Sequence, residues 1–263
     1  MRMIIDRDRL QLNDESKLTV TVSEFKGNNH FVSIDNVYRD PEYVRELALS
    51  LDFTSSMRNP YPGVKAQIWL STAPILALAH AIDKKYRPGR VPDPKGPVTA
   101  FRPLGFAITN MPAADINPLA VQAHIDDAAS LAGLVYLNFP HQCRGGTSFW
   151  RHREHDLIRL PSDEKMLEMI SVWGGDVDRA KKSRADLEEV FQVGLLLQNF
   201  DKFPSGYMIE DNDTWELLAI AEMKWNRLVL FDGGVFHSGY YDEGWFGTTR
   251  ETERLTQNIF PYT

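Results

Sequence analysis

The segment His124-Ile125-Asp126, answered more than a hundred residues later by His237 at the end of Leu230-Phe231-Asp232-Gly233-Gly234-Val235-Phe236-His237, constrains the fold of this chain more than any other feature. Residues i and i+2 point to one side of a β-strand but to different sides of a helix. His124 and Asp126 can therefore converge on one ion only in extended backbone. His237 must then be brought back to them by pairing across a long stretch of chain. The pattern asks for a mainly β architecture. The competing reading makes His124 and Asp126 a surface pair and His237 a core histidine.

Composition narrows the setting. With 263 residues, 43% of them hydrophobic, the chain can bury a substantial core, and all-β barrels of this length commonly form one domain, so residues 1–263 are expected to be a single domain. Lys and Arg total 29 against 36 Asp and Glu, a formal net charge of -7, which supplies no field for phosphate backbones or anionic lipid. Nucleic acid and membranes are not expected partners. The lone Cys143 cannot form an internal disulfide, and the charged start, with Arg2, Asp6, Arg7, Asp8 and Arg9, lacks the apolar core of a signal peptide. A soluble, cytoplasmic protein is the expectation.

Residues 17–36 read as two short strands around Gly27-Asn28-Asn29. Asp40-Pro41 opens a helix whose Val44, Leu47, Ala48 and Leu51 form an apolar stripe, and Thr72-Ala73-Pro74 opens a second with Ile75, Leu78, Ala79 and Ile82. Asn59 to Gly63 and Pro88 to Pro97 are read as loops. Residues 1–98 would thus support a barrel built from 99–263. Strand-like runs follow at Phe101 to Thr109, Val121 to Ile125, Gly133 to Asn138, Trp215 to Ala219, Arg227 to Phe231 and Leu255 to Phe260. A charged helical insertion spans about residues 154–192, led by Ser162-Asp163-Glu164-Lys165 and by a run from Asp178 to Phe191, and could cover the site as a lid. Gly145-Gly146 is read as a hairpin turn.

Two imidazoles and one carboxylate on one side of an ion leave the opposite side open, a ligand set suited to Fe(II). Downstream of His237 comes Arg254-Leu255-Thr256 on a strand-like run. A buried arginine there suits a bidentate salt bridge to a dicarboxylate, with the Thr256 hydroxyl as a further donor, which predicts a 2-oxo acid co-substrate. Arg250, in the polar segment Gly247 to Glu251, looks like part of an exposed turn. Trp150 and His152 alternate with Arg151 and Arg153, so one pair should face inward and line a substrate pocket.

The order His124-x-Asp126, Tyr136-Leu137-Asn138, Gly145-Gly146-Thr147-Ser148-Phe149-Trp150, His237 and Arg254-x-Thr256 resembles the Fe(II)/2-oxoglutarate-dependent dioxygenases, and within them the prolyl-hydroxylase-like branch. The resemblance runs from about Phe101 to Tyr262. It extends to a bacterial subgroup sharing Asp35-Asn36, Tyr61-Pro62-Gly63 and the run from Gly145 to Arg153. It implies a double-stranded β-helix, a jelly-roll of cupin type with flanking helices. It implies that His124, Asp126 and His237 hold Fe(II), that Arg254 and Thr256 hold the distal carboxylate of 2-oxoglutarate with Tyr136 and Asn138 assisting, and that O2 is the oxidant. Because Asp126 is present, no ligand position is vacated for a halide, and hydroxylation is implied rather than halogenation.

The substrate implied is a small polar molecule such as an amino acid or a derivative, with Trp150, Arg151, Arg153, Trp245 and Phe246 as candidate contacts; homodimerisation is left open. The alternative from another class is a non-catalytic cupin-type metal or small-molecule binding protein. His141 with Cys143, and His152 with His155, are the competing metal pairs, but neither has a second pair at ligand spacing.

Overall fold

The computed structural model describes residues 5–55, 61–86, 104–126, 131–203 and 206–259. Asn59-Pro60, the Pro88 to Pro97 loop, the first residues of the strand expected from Phe101, and Phe260 lie outside them. The hairpin expected around Gly27 is formed by β1 (Thr19–Phe25) and β2 (Asn29–Asp35), in register through Val22 opposite Val32. Gly27 and Asn28, with φ of 76° and 55°, make its turn, positions that glycine and asparagine reach most readily.

The other strands are β3 (Gly63–Ile68), β4 (Leu104–Thr109), β5 (Ala132–Tyr136), β6 (Gly146–His152), β7 (Trp215–Glu222), β8 (Leu228–Phe231), β9 (His237–Tyr240) and β10 (Arg254–Ile259). They form two antiparallel sheets, one of seven strands in the order β1-β2-β8-β5-β10-β4-β3 and one of three in the order β7-β6-β9. The protein is therefore mainly β. Strand β3 was not foreseen, because Tyr61-Pro62-Gly63 reads as a loop and the strand that follows carries only short stretches of apolar sequence.

Alternation within each strand sorts the layers. Leu104, Phe106 and Ile108 of β4 and Leu255 and Ile259 of β10 pack beneath α1 (Pro41–Leu49) and α2 (Ala73–Tyr86), which contribute Val44, Leu47, Ile75, Ala79 and Ile82. Full burial of each such side chain contributes about 1.5–3 kcal/mol. Asp40 caps α1 by accepting from the Tyr43 amide at 3.1 Å, with Pro41 in the first turn. The opposite faces of the two sheets meet each other: Phe31, Tyr136, Val229 and Phe231 of the large sheet pack with Phe149 and Ala221 of the small one. Phe31 and Phe149 stack with ring centroids 5.2 Å apart.

The helical insertion forms a third layer. It comprises α3 (Asp163–Val172, capped by Ser162), α4 (Val177–Ala180) and α5 (Arg184–Leu197), so the run expected to be one helix from Asp178 to Phe191 is broken at Ser183, whose hydroxyl caps α5. Met166, Ile170, Leu187, Phe191 and Leu195 cover Ala123, Ile125, Trp150, Trp215 and Phe236 on the outer face of the small sheet. The insertion does not lie over the inner face as a lid would.

Two further expectations change. Val121 to Ile125 is not a strand; a 3-10 turn (Pro118–Ala120) precedes it, and only an isolated bridge joins His124 to His237. Gly145-Gly146 does not turn a hairpin, since β5 and β6 belong to different sheets. Glycine is needed there for another reason. Gly145 has φ of 70°, and a Cβ on it would lie 2.0 Å from the Tyr240 carbonyl oxygen. No helix among the described residues is long and apolar enough to cross a membrane.

Candidate metal centre

The bridge between His124 and His237 is a reciprocal pair of backbone hydrogen bonds, each 2.9 Å, and the Asp126 amide donates to the Gly233 carbonyl at 2.9 Å. This short ladder gives the segment the extended form that its His-x-Asp spacing requires. Ala123 and Ile125 turn outward to the helices, while His124 and Asp126 turn inward beside His237. The Ile125 amide is fixed from behind by Gln192 of α5, at 3.0 Å.

The metal-binding atoms of His124, Asp126 and His237 all lie within 4.8 Å of one another. Asp126 Oδ2 is 3.3 Å from His237 Nε2, and the two imidazole centroids are 4.7 Å apart. Both rings are oriented the same way: His124 Nδ1 lies 3.0 Å from the Gln122 carbonyl and His237 Nδ1 2.9 Å from the Val235 carbonyl. A carbonyl only accepts, so each Nδ1 carries a proton and each ring turns its Nε2, the other ligand nitrogen, toward Asp126 and the shared space. Burial, and then the neighbouring His237, lowers the pKa of His124. Burial alone would raise that of Asp126, but His237, His124 and Lys65 bring it below the usual value, so the carboxylate is ionised at neutral pH. Two imidazoles and one carboxylate thus face a common point.

Beside this cluster, on the inner face of the large sheet, Arg254 of β10 is only 3% exposed. Among the described residues no carboxylate reaches it within ion-pair distance. Its Nη2 donates to the Gly146 carbonyl at 3.3 Å, its Nε has no hydrogen-bond partner, and its guanidinium lies 4.9 Å from the Tyr241 ring centroid and 5.6 Å from that of Tyr136. Thr256, Tyr136 and Thr109 share its face through the strand register. The Tyr136 hydroxyl pairs with Thr147 at 2.8 Å and the Tyr61 hydroxyl with Thr109 at 2.8 Å. Burial raises the pKa values of Tyr61, Tyr136 and Tyr241, so all three remain neutral phenols. The guanidinium is surrounded by neutral groups, a costly place for an unpaired charge.

The other candidates fall elsewhere. Asn138 lies beyond the end of β5, with its Nδ2 donating to the Glu253 carbonyl at 2.8 Å and its Oδ1 accepting from the Leu255 amide at 2.7 Å. It secures the start of β10 and is not a co-substrate contact. Trp150 is fully buried on the helix-covered face, donating to the hydroxyls of Ser148 and Ser238 at 2.8 and 3.0 Å, which removes it from any substrate pocket. Arg151 pairs with Glu216 and Asp156, and Arg153 with Asp211, so both guanidinia are engaged near the surface. Trp245 is half-buried against Tyr240, with centroids 5.5 Å apart. His152 and His155 stack at 5.0 Å without a third ligand, and neither they nor His141 and Cys143 join a metal-ligating group among the described residues. Burial raises the pKa of the Cys143 thiol. Arg250 is exposed in its turn, as its sequence suggests.

Thr109, Tyr207 and Tyr241 were not singled out from sequence, and Tyr61 entered there only within Tyr61-Pro62-Gly63, with no role at a site. Tyr207 reaches the group by donating to the Met111 carbonyl at 2.5 Å and by an edge contact with Tyr241 at 4.6 Å. Only the strand register could have exposed Thr109, which stands opposite Arg254.

A family of unknown function, DUF6445, matches the chain over residues 16–171 and 179–261, and the chain belongs to it. No curated protein and no solved structure matches it.

Proposed function

We propose that this protein is an Fe(II)- and 2-oxoglutarate-dependent oxygenase that hydroxylates a small polar substrate. The observation that carries the reading is the buried, carboxylate-free Arg254 with an unpartnered Nε, set on the same interior as the His124, Asp126 and His237 cluster. A guanidinium in this state calls for an anion, and its planar donors suit a carboxylate. The residues fit both groups. The three ligands offer nitrogen, nitrogen and carboxylate oxygen, while Arg254, Thr256 and the neutral phenols offer only donors or neutral contacts to the far end of a dicarboxylate.

Strand order supports a double-stranded β-helix. From β4 onward the chain visits the large sheet, the His124 bridge beside the small sheet, then β5 in the large, β6 and β7 in the small, and β8, β9 and β10 in the large, small and large. That alternation places β10, which carries Arg254, between β4 and β5, and β9, which carries His237, beside the His124 segment.

Bound iron would activate O2 for oxidation of a substrate C–H bond while 2-oxoglutarate is converted to succinate and CO2. The chain's own residues do the rest. His124, Asp126 and His237 would occupy one side of the ion and leave the inward side free. Arg254 and Thr256 fix the distal carboxylate and so orient the 2-oxo acid end toward the ion. Phe31, Phe149 and Phe231 close the interior beside His237, whose ring centroid is 4.5 Å from that of Phe231, and keep bulk water away.

Anaerobic addition of Fe(II) and then 2-oxoglutarate should produce the weak visible charge-transfer band of the chelate in the wild type and none in Asp126→Ala. Succinate should form on admitting air. A wild-type protein that binds metal but gives no band overturns the reading in favour of a cupin-type binding protein, which has no use for a dicarboxylate anchor.

A further inference from the structure

Lys65 of β3 sits opposite Ala107 of β4, which sits opposite Thr256 of β10, which sits opposite Tyr136 of β5, so one cross-strand row on the inner face of the large sheet runs from the ammonium to the phenol. Arg254 belongs to the neighbouring row, opposite Thr109, and Thr109 is opposite Gly63. Lys65 is half-buried. Its nearest described partner is the Tyr61 ring, 4.7 Å from Nζ to the centroid, and among the described residues no carboxylate lies within ion-pair distance. It is close enough to the metal centre for Asp126 and His124 to feel its charge.

The surroundings of Lys65 on this face are small or polar. Ala107 has no bulk, and in the next row a Cβ added to Gly105 would meet no atom of the described residues within 4 Å, which marks open space beside the strand. Gln67 and Asn258 flank Gly105 with amide side chains, and exposure increases along β3 from buried Gly63 to exposed Gln67. The row of Lys65 thus lies between the buried guanidinium and the open end of the interior, across the sandwich from Asp126.

We propose that Lys65 anchors a carboxylate of the primary substrate. The inference rests on the function proposed above. There, one carboxylate of 2-oxoglutarate meets Arg254 and the other the metal, so the co-substrate has none left for a second cation. A half-buried ammonium with space before it and amides at its rim then selects an anionic small molecule of amino-acid size, with its free carboxylate toward β3 and its reacting C–H toward the metal.

The test uses the anaerobic Fe(II) and 2-oxoglutarate complex of the wild type, Lys65→Met and Lys65→Arg, with the common L-amino acids and their carboxamides as probes. Perturbation of the charge-transfer band gives probe binding, and succinate release in air gives coupling. One or more acids should perturb the wild-type band while their carboxamides do not. Lys65→Met should weaken that response about tenfold to a hundredfold, the range of a lost charge-assisted hydrogen bond, with Lys65→Arg recovering part of it. The affinity for 2-oxoglutarate should stay within about twofold in both variants. Equal weakening of 2-oxoglutarate by Lys65→Met would move Lys65 into the co-substrate site and overturn the proposal, as would carboxamides that act as well as acids, or a wild type with an intact band that responds to no acid. A wild type with no band at all instead removes the oxygenase reading itself.

Discussion

Arg254 is buried as a cation before any anion has arrived, and this has two measurable consequences. Without ligand, the unpaired guanidinium lowers stability, so Arg254→Met, which keeps the length and drops the charge, should unfold at the same temperature as the wild type or higher. The cost should appear only with ligand: 2-oxoglutarate affinity should fall by about tenfold to a hundredfold, and the thermal shift it gives the metal-loaded wild type should vanish. A variant that binds 2-oxoglutarate as well as the wild type would take Arg254 out of the site. Residues of this kind were legible in the sequence, because a ligand triad has a fixed chemical alphabet and spacing, and an arginine on an apolar strand is conspicuous. Asn138 was misplaced because β5 ends at Tyr136, so a residue two further on no longer shares that strand's inner face. Tyr241 carries no local signal and Tyr61 only that of its Tyr-Pro-Gly motif, which names no site; the register that sets Thr109 against Arg254 gathers them.

Among the elements, the helical layer on the small sheet was legible as helix but not as to which side it covers. Leu187 and Phe191 within its charged run, and Leu195 beyond it, recur at helical spacing, and these match the outward residues of the ligand-bearing segments, Ala123, Ile125 and Phe236. The same layer buries His152, which the sequence offered as a ligand. Burial, followed by the effects of the stacked His155 and of Lys202, pushes its pKa down to about 4. An exposed imidazole titrates near about 6.5, so on acidification the unfolded chain takes up this proton first. Stability should therefore decline as pH falls from about 6.5 toward about 4. His152→Phe should flatten that part of the curve, as read by denaturant unfolding at a series of pH values. An unchanged slope would place His152 in contact with solvent. Strand β3 escaped notice for a related reason. A strand at the edge of its sheet, joined on its outer side by the bridge from Lys65 to Thr54 and with Lys65 and Gln67 on its inner face, carries little of the apolar signal that marks a central strand.

For the whole molecule, the centre joins segments that only the finished sandwich brings together, so a metal that binds it should stabilise the fold as a unit. At a concentration about a hundredfold above its dissociation constant, such an ion contributes about 2.7 kcal/mol. A chelator should remove that increment from the wild type and change nothing in Asp126→Asn, with calorimetry as the check. An increment that survives Asp126→Asn would locate the metal elsewhere. The alternation of strands between the two sheets was not readable strand by strand, because pairing order is decided by the competition of all strands for a shared core.

β10 is the last of the ten strands among the described residues, yet its place in the large sheet is between β4 and β5. Until it inserts, those two strands have no common neighbour, and the interior has no floor beneath its open end. Closure must therefore wait on contacts of very long sequence separation, which makes for slow folding. During synthesis, the earlier strands must wait with unsatisfied edges until β10 follows them, and an edge in that condition is a template for strands of other chains.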